Sequence, residues 1–223
     1  MLLTVRPDAI IRSARRTLSV SVDCFGRVTV RAPKACSEER IFAFLEEKRD
    51  WILQKKAKTA GAGMRLPPEN IDGFTFMLFG VEHGVRMTEG NAVIYDKENN
   101  TITLPKKNAN TRLVRWLKER AKCIFSETTA QKAREMGVTY ASVFVTSAKS
   151  RWGSCNARDE LRYSFRLLYA PKEIVEYVIV HELAHTKHKN HSPRFWQEVE
   201  KYVPDYKSRR NWLKAHAYLM HIF

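Results

Sequence analysis

One stretch constrains the fold more than any other. Between residues 171 and 188, Ile174, Val178, His181 and His185 recur at i, i+4, i+7 and i+11, a continuous helical stripe that must face a core. Two imidazoles on a buried face need partners, so the rest of the chain has to bring polar groups to that helix. Pro171 suits a first helical turn and Glu173 favours the helix N-terminus, which predicts a helix over 171–188.

The stripe contains His181-Glu182-Leu183-Ala184-His185. Residues four apart on a helix differ by about 40° in direction and ~6 Å in height, so both rings lean to one side and can grip one ion. The intervening carboxylate stands beside them. This is the arrangement in which a zinc ion acidifies a water and a glutamate takes its proton. With 7 His in 223 residues, chance yields roughly 0.016 such matches, so the pattern favours a metal site over two satisfied core histidines.

A catalytic zinc usually takes three protein ligands. His188, His191, Glu198 and Glu200 are the candidates for the third. His188 lies about 10 Å along the axis from His181, too far while the helix continues. His191 stands ten residues after His181, the spacing of the last histidine in the longer H-E-x-x-H-x-x-G-x-x-H pattern. His188 occupies the glycine position of that pattern, so the helix is expected to end differently, at Asn190, which tolerates the left-handed conformation. His191 is the favoured ligand and Glu198 the alternative.

Three runs together resemble a known family: Ser150-Arg151-Trp152-Gly153-Ser154-Cys155, the His181 to His185 helix, and Asn190-His191-Ser192-Pro193-Arg194-Phe195-Trp196. They resemble the YgjP-like metal-dependent hydrolases, which are similar to SprT-like and WLM proteases of the zincin fold. The resemblance implies a zincin-like catalytic half, zinc held by His181, His185 and His191, and Glu182 as catalytic acid and base. The reading is therefore a zinc metallohydrolase, a peptidase acting on a peptide or protein substrate. Tyr163 and Arg151 are secondary candidates for polarising a substrate carbonyl. Cys155 is read as a small packed hydrophobe outside the metal site.

The rest of the chain reads as α+β, a β-rich region with one helix over 1–105 and a mainly helical region with a short β-hairpin over 106–223. Alternation from Thr17 to Ala32 about Asp23-Cys24-Phe25-Gly26 predicts a hairpin. Ser37-Glu38-Glu39 opens a helix to about Lys58, with Phe44 and Trp51 as core residues. A loop follows at Gly61, Gly63, Pro67 and Pro68, then strands over 74–85, 92–95 and 101–104. A long helix over 110–136 carries Leu113, Leu117, Ala121, Ile124 and Thr128 on one face. Strands over 142–146 and 161–167 form the hairpin, and helices over 193–202 and 205–220 end the chain. The boundary near 106 is soft, since no long linker marks it and the two sides can share a core.

Charge separates the two regions. The net is +15, from 16 basic and 13 acidic residues over 1–105 against 23 and 11 over 106–223. A surplus of +12 attracts polyanions, so nucleic acid is a candidate partner and a solvated lysine-rich surface the plain alternative. This defines the second functional reading, a nucleic-acid-associated protein whose zinc site is structural or acts on proteins held there. Arg112, Arg115, Lys118, Arg120 and Lys122 on the long helix would carry the contact, with few aromatics placed to stack on bases. Four scattered cysteines without a C-x-x-C pair, an N-terminus interrupted by Arg6, Asp8 and Arg12, and no long apolar run point to a cytoplasmic protein that does not enter a membrane.

Overall fold

The computed structural model describes residues 5–22, 26–60 and 71–223. The hairpin turn expected at 23–25 and the loop expected at 61–70 lie outside them. Contacts divide the chain into two compact units, Met1–Arg65 and Leu66–Phe223.

In the first unit three strands form a sheet of order β1-β3-β2, with β1 at Ala9–Ser13, β2 at Ser19–Val22 and β3 at Val28–Pro33. The expected hairpin is the antiparallel β2–β3 pair, and β1, which sequence reading missed, joins β3 in parallel. Val28, Val30 and Ala32 alternate inward onto Ile41, Leu45 and Ile52. Ser37 caps α1 (Glu38–Glu47) by accepting from the Arg40 N–H at 3.3 Å. The single helix expected here breaks at Lys48 and resumes as α2 (Arg49–Ala60). Ile52 then takes the core position while its neighbour Trp51 stays 42% exposed, against the expectation of a core tryptophan. Adjacent residues on a helix point about 100° apart, so both cannot face inward.

The second unit opens with a sheet of order β4-β5-β7-β6, from β4 (Thr75–Leu78), β5 (Val81–Thr88), β6 (Ile94–Asp96) and β7 (Thr101–Pro105). The segment 74–85 is two strands joined at Phe79-Gly80, both at positive φ (51° and 80°). That is the twist a two-residue hairpin requires, and a bulky Phe in it gives no turn signal in sequence. The Phe79 N–H donates to the Leu168 carbonyl at 2.8 Å, which holds it there.

Helix α3 (Ala109–Met136) runs through the unit and ends on Gly137 at φ 61°, where the Val138 N–H reaches back to the Ala133 carbonyl. Its buried line passes through Leu113, Leu117, Ala121, Phe125, Thr129 and Ala133, so Phe125 and Thr129 replace the expected Ile124 and Thr128. A second small sheet, β8 (Ser142–Thr146), β9 (Gly153–Cys155) and β10 (Glu160–Ser164), has the order β8-β10-β9. The predicted pairing of the first and last of these holds, but in parallel and not as a hairpin, because the connection is long enough to cross over and contributes β9. The last strand stops at Ser164, and Phe165–Tyr169 turn into a buried 3₁₀ helix.

Helices α4 (Lys172–Lys187), α5 (Pro193–Tyr202) and α6 (Tyr206–Ala215) follow, with a 3₁₀ turn at Ala217–His221. Arg166, 2% exposed, donates to the carbonyls of Ser147, Ile222 and Phe223 and fastens this last segment. One core takes in Ile102 and Leu104 with Leu113, Leu117, Phe125, Ile179 and Leu183. The soft boundary near 106 therefore falls inside a shared core, and the shift in composition there marks a change from strand to helix. Among the described residues no helix is long and apolar enough to cross a membrane.

Phe125 is fully buried and meets the Tyr163 ring edge-on at 5.8 Å. Phe125→Ala should destabilise the unit by about 3–5 kcal/mol, read as a lower urea midpoint.

Candidate metal centre

Helix α4 is buried on almost every side, and its last two turns carry His181, Glu182 and His185. The helix ends at His188 in an extended conformation (φ −129°, ψ 101°). The left-handed ending expected at Asn190 is not used, since Asn190 is not among the described residues at positive φ. An extended His188 aims its carbonyl at the His185 ring, 2.9 Å from Nδ1. A carbonyl only accepts, so His185 Nδ1 carries the proton and Nε2 presents a lone pair.

The turn after His188 brings His191 back to the helix. One ring nitrogen from each of His181, His185 and His191 falls within 4.8 Å of the others. His181 Nε2 and His191 Nε2 face each other at 3.1 Å. His188 instead serves through its backbone. Glu198 is bound to Lys187 at 2.7 Å and Glu200 is exposed, so neither joins the cluster.

An aromatic floor supports the three rings. Phe195, fully buried on α5, lies 4.8, 4.5 and 4.7 Å from the ring centres of His181, His185 and His191. Trp196 packs beside His181 and His191, stacks on Tyr206 at 5.1 Å and carries the Arg210 guanidinium 4.9 Å above it. Burial, then the neighbouring imidazoles and Arg210, lowers the His181 pKa to about 3, and burial likewise lowers that of His185. Both are neutral near pH 7, the form that ligates metal. His181 Nδ1 is buried with no hydrogen-bond partner among the described residues.

Glu182 is 6% exposed and points from α4 at β9. Burial raises its pKa to about 8, against the opposing pull of the Arg151 charge and of the Cys155 backbone N–H, which donates to the carboxylate. A Cβ at Gly153 would stand 2.6 Å from Glu182 Oε1 and 2.8 Å from Cγ. Only glycine leaves room for the carboxylate there. This is the physical content of the glycine in Arg151-Trp152-Gly153-Ser154-Cys155.

The YgjP-like metallopeptidase domain family matches residues 16–216. The chain belongs to this family. Its members' expected motifs thus fall on a single constellation, assembled from β9, α4 and the start of α5. No curated protein matches the chain. Among solved structures, the zymogen of abylysin from Pyrococcus abyssi is similar at 23% identity, over 40% of this chain and 90% of that one, with a TM-score of 0.38. The jannalysin zymogen of Methanocaldococcus jannaschii is similar at 21% identity, over 35% and 80%, with a TM-score of 0.32.

Two secondary candidates separate here. Tyr163 is fully buried, with its hydroxyl 3.5 Å from Thr129 Oγ1 and its pKa pushed up by burial, so it has no access to a substrate carbonyl. Arg151 is exposed, and its charge reaches Glu182. Cys155 packs against the core with its thiol 3.9 Å from Asp159, apart from the histidines. Phe195, Trp196 and the contact between Gly153 and Glu182 escaped sequence reading; the only trace was the Asn190 to Trp196 run of the family resemblance.

The raised pKa of Glu182 has a definite sign in the metal-free protein. A folded value near 8 against an ordinary value of 4.5 means that folding retains a proton the unfolded chain has lost. That contribution is full below about pH 4.5 and is lost as pH rises toward 8. Chelator-treated Glu182→Gln should therefore gain stability over the parent as pH rises from 5 to 8, by up to about 1.4 kcal/mol per pH unit, in urea unfolding.

Proposed function

We propose that the chain is a zinc peptidase in which His181, His185 and His191 hold the metal and Glu182 is the general base. The observation that carries this reading is the meeting of three imidazole nitrogens within 4.8 Å beside a buried carboxyl group. The donor set fits zinc. Two nitrogens at about 2.0–2.1 Å from one tetrahedral zinc lie roughly 3.3 Å apart, close to the 3.1 Å between His181 and His191 Nε2. Three imidazole donors would leave the fourth position of a tetrahedral zinc to water, as catalytic sites require. Zinc bound there supplies a Lewis acid and makes a water acidic at neutral pH.

In this reading Glu182 takes the proton of the attacking water and returns it to the leaving amine. The Cys155 N–H fixes one carboxylate oxygen, and the bare Cα of Gly153 lets it lie flat against β9.

A peptide substrate would lie along β9, the edge strand of its sheet. Trp152 and Asn156 spend backbone groups on β10, through Ser164 N–H to Trp152 O at 2.8 Å and Asn156 N–H to Glu160 O at 3.2 Å. By the alternation of an antiparallel ladder, Gly153 and Cys155 turn theirs to the open edge, the side where Cys155 meets Glu182. An extended peptide added at that edge would bring its carbonyls past the carboxylate.

Metal and chemistry should separate on mutation. His191→Ala should lose most bound zinc by elemental analysis, while Glu198→Ala keeps it. The reverse result would make the third ligand a glutamate. Glu182→Gln and Gly153→Ala should both retain zinc yet lose at least about a hundredfold in cleavage of a fluorogenic peptide library, the first for want of a base and the second by displacing it. Undiminished turnover in Glu182→Gln would remove that residue from the mechanism.

A further inference from the structure

A cavity of about 220 Å³ opens between the β4–β7 sheet and α3, and none of the residues lining it belongs to the histidine cluster. Tyr95 and Trp116 form one wall, with ring centres 5.2 Å apart and planes tilted by 58°. The Arg120 guanidinium lies 5.6 Å from the Tyr95 ring centre and 5.9 Å from that of Trp116. Lys97 and Arg120 are the charged residues of the lining, and no carboxylate is among them.

The wall is held rigidly. His83, 5% exposed, has Nδ1 at 3.0 Å from the Val81 carbonyl and Nε2 at 3.1 Å from the Tyr95 hydroxyl. The carbonyl only accepts, so Nδ1 is the protonated nitrogen and Nε2 accepts the proton of Tyr95. His83 also stacks on Tyr95 at 5.9 Å, and both line the cavity. The Tyr95 ring is therefore held in place.

The cations of α3 are not equivalent. Arg115 is paired with Glu119 at 3.0 Å, Arg112 donates to the carbonyls of Lys107 and Asn91, and Lys122 donates to that of Val143. Arg120 makes no ion pair among the described residues and leans on the two rings, one helical turn beyond Trp116. The few aromatics that the sequence offers this helix, Trp116 among them, are joined here by Tyr95 from β6.

We propose that this cavity takes one base of a single-stranded nucleic acid, stacked against Trp116 and Tyr95, with the adjoining phosphates on Arg120 and Lys97. A fixed aromatic face beside an arginine is the recurrent platform for unpaired bases. The absence of acid from the lining suits a ligand whose polar flank is anionic, and the surplus of +12 over 106–223 attracts such a polymer from a distance. Duplex is excluded, because its base faces are covered. The inference stands independently of the zinc site.

Fluorescence anisotropy of the full chain tests it, with a labelled oligothymidylate, a duplex, and an acidic peptide containing aromatic residues as probes. The single strand should bind more tightly than the other two. Trp116→Leu should weaken it roughly five- to hundredfold, the range for loss of one stacking partner. Arg120→Gln combined with Lys97→Gln should flatten the slope of log K against log salt by roughly 1.4, at about 0.7 per phosphate contact on a single strand. Arg115→Gln, whose parent residue is already ion-paired and does not line the cavity, should bind nearly as wild type. Thermal unfolding checks that each variant is folded, and Arg120 is exposed, so its removal leaves the core intact. Equal binding of single strand and duplex, tighter binding of the peptide, or an Arg120→Gln variant that behaves like Arg115→Gln would overturn the proposal.

Discussion

A carboxyl group buried on a helix that is itself buried is the constraint around which the second unit is arranged. Glu182 sits on α4 at 6% exposure, flanked by two imidazoles that burial keeps neutral. Desolvation alone would make such a helix a poor core element. Support comes from several parts of the chain: Cys155 and Arg151 from the β9 region for the carboxylate, the carbonyl of His188 for His185, and Phe195 of α5 packed against the three rings. The site and the core are therefore one assembly.

The same arrangement explains why β9 is only three residues long and lies at a sheet edge. It must pair with β10 on one side and leave its other side to Glu182. Asp159, at φ 57° in the turn after β9, forms an ion pair with Lys189, so the turn beside Cys155 is also tied to the segment that returns His191. Two loops distant in sequence are thereby held in register around the cluster.

What could be read from the residues follows the range of the interactions involved. The helices over 110–136 and 171–188, the Gly137 stop and the pairing of His181 with His185 depend on contacts within a few residues, and periodicity reports them well. His191 was reached through a spacing and through the family resemblance, whereas its actual mode of return, by an extended His188 rather than a left-handed Asn190, depends on a hydrogen bond to the His185 ring. The left-handed Phe79 and the parallel β8–β10 pair depend on partners remote in the chain. Charge was legible as a total and not as a map. Arg115 and Arg120 look alike in sequence, yet one is neutralised by Glu119 and the other lies over two rings.

The clearance at Gly153 has a consequence for how this protein can vary. The requirement there is for the absence of a single carbon atom, and every other amino acid supplies that atom. Any substitution at this position therefore has to displace the Glu182 side chain. Variation at the first residue of β9 is thus coupled to the position of Glu182 on α4, an element remote from it in the chain.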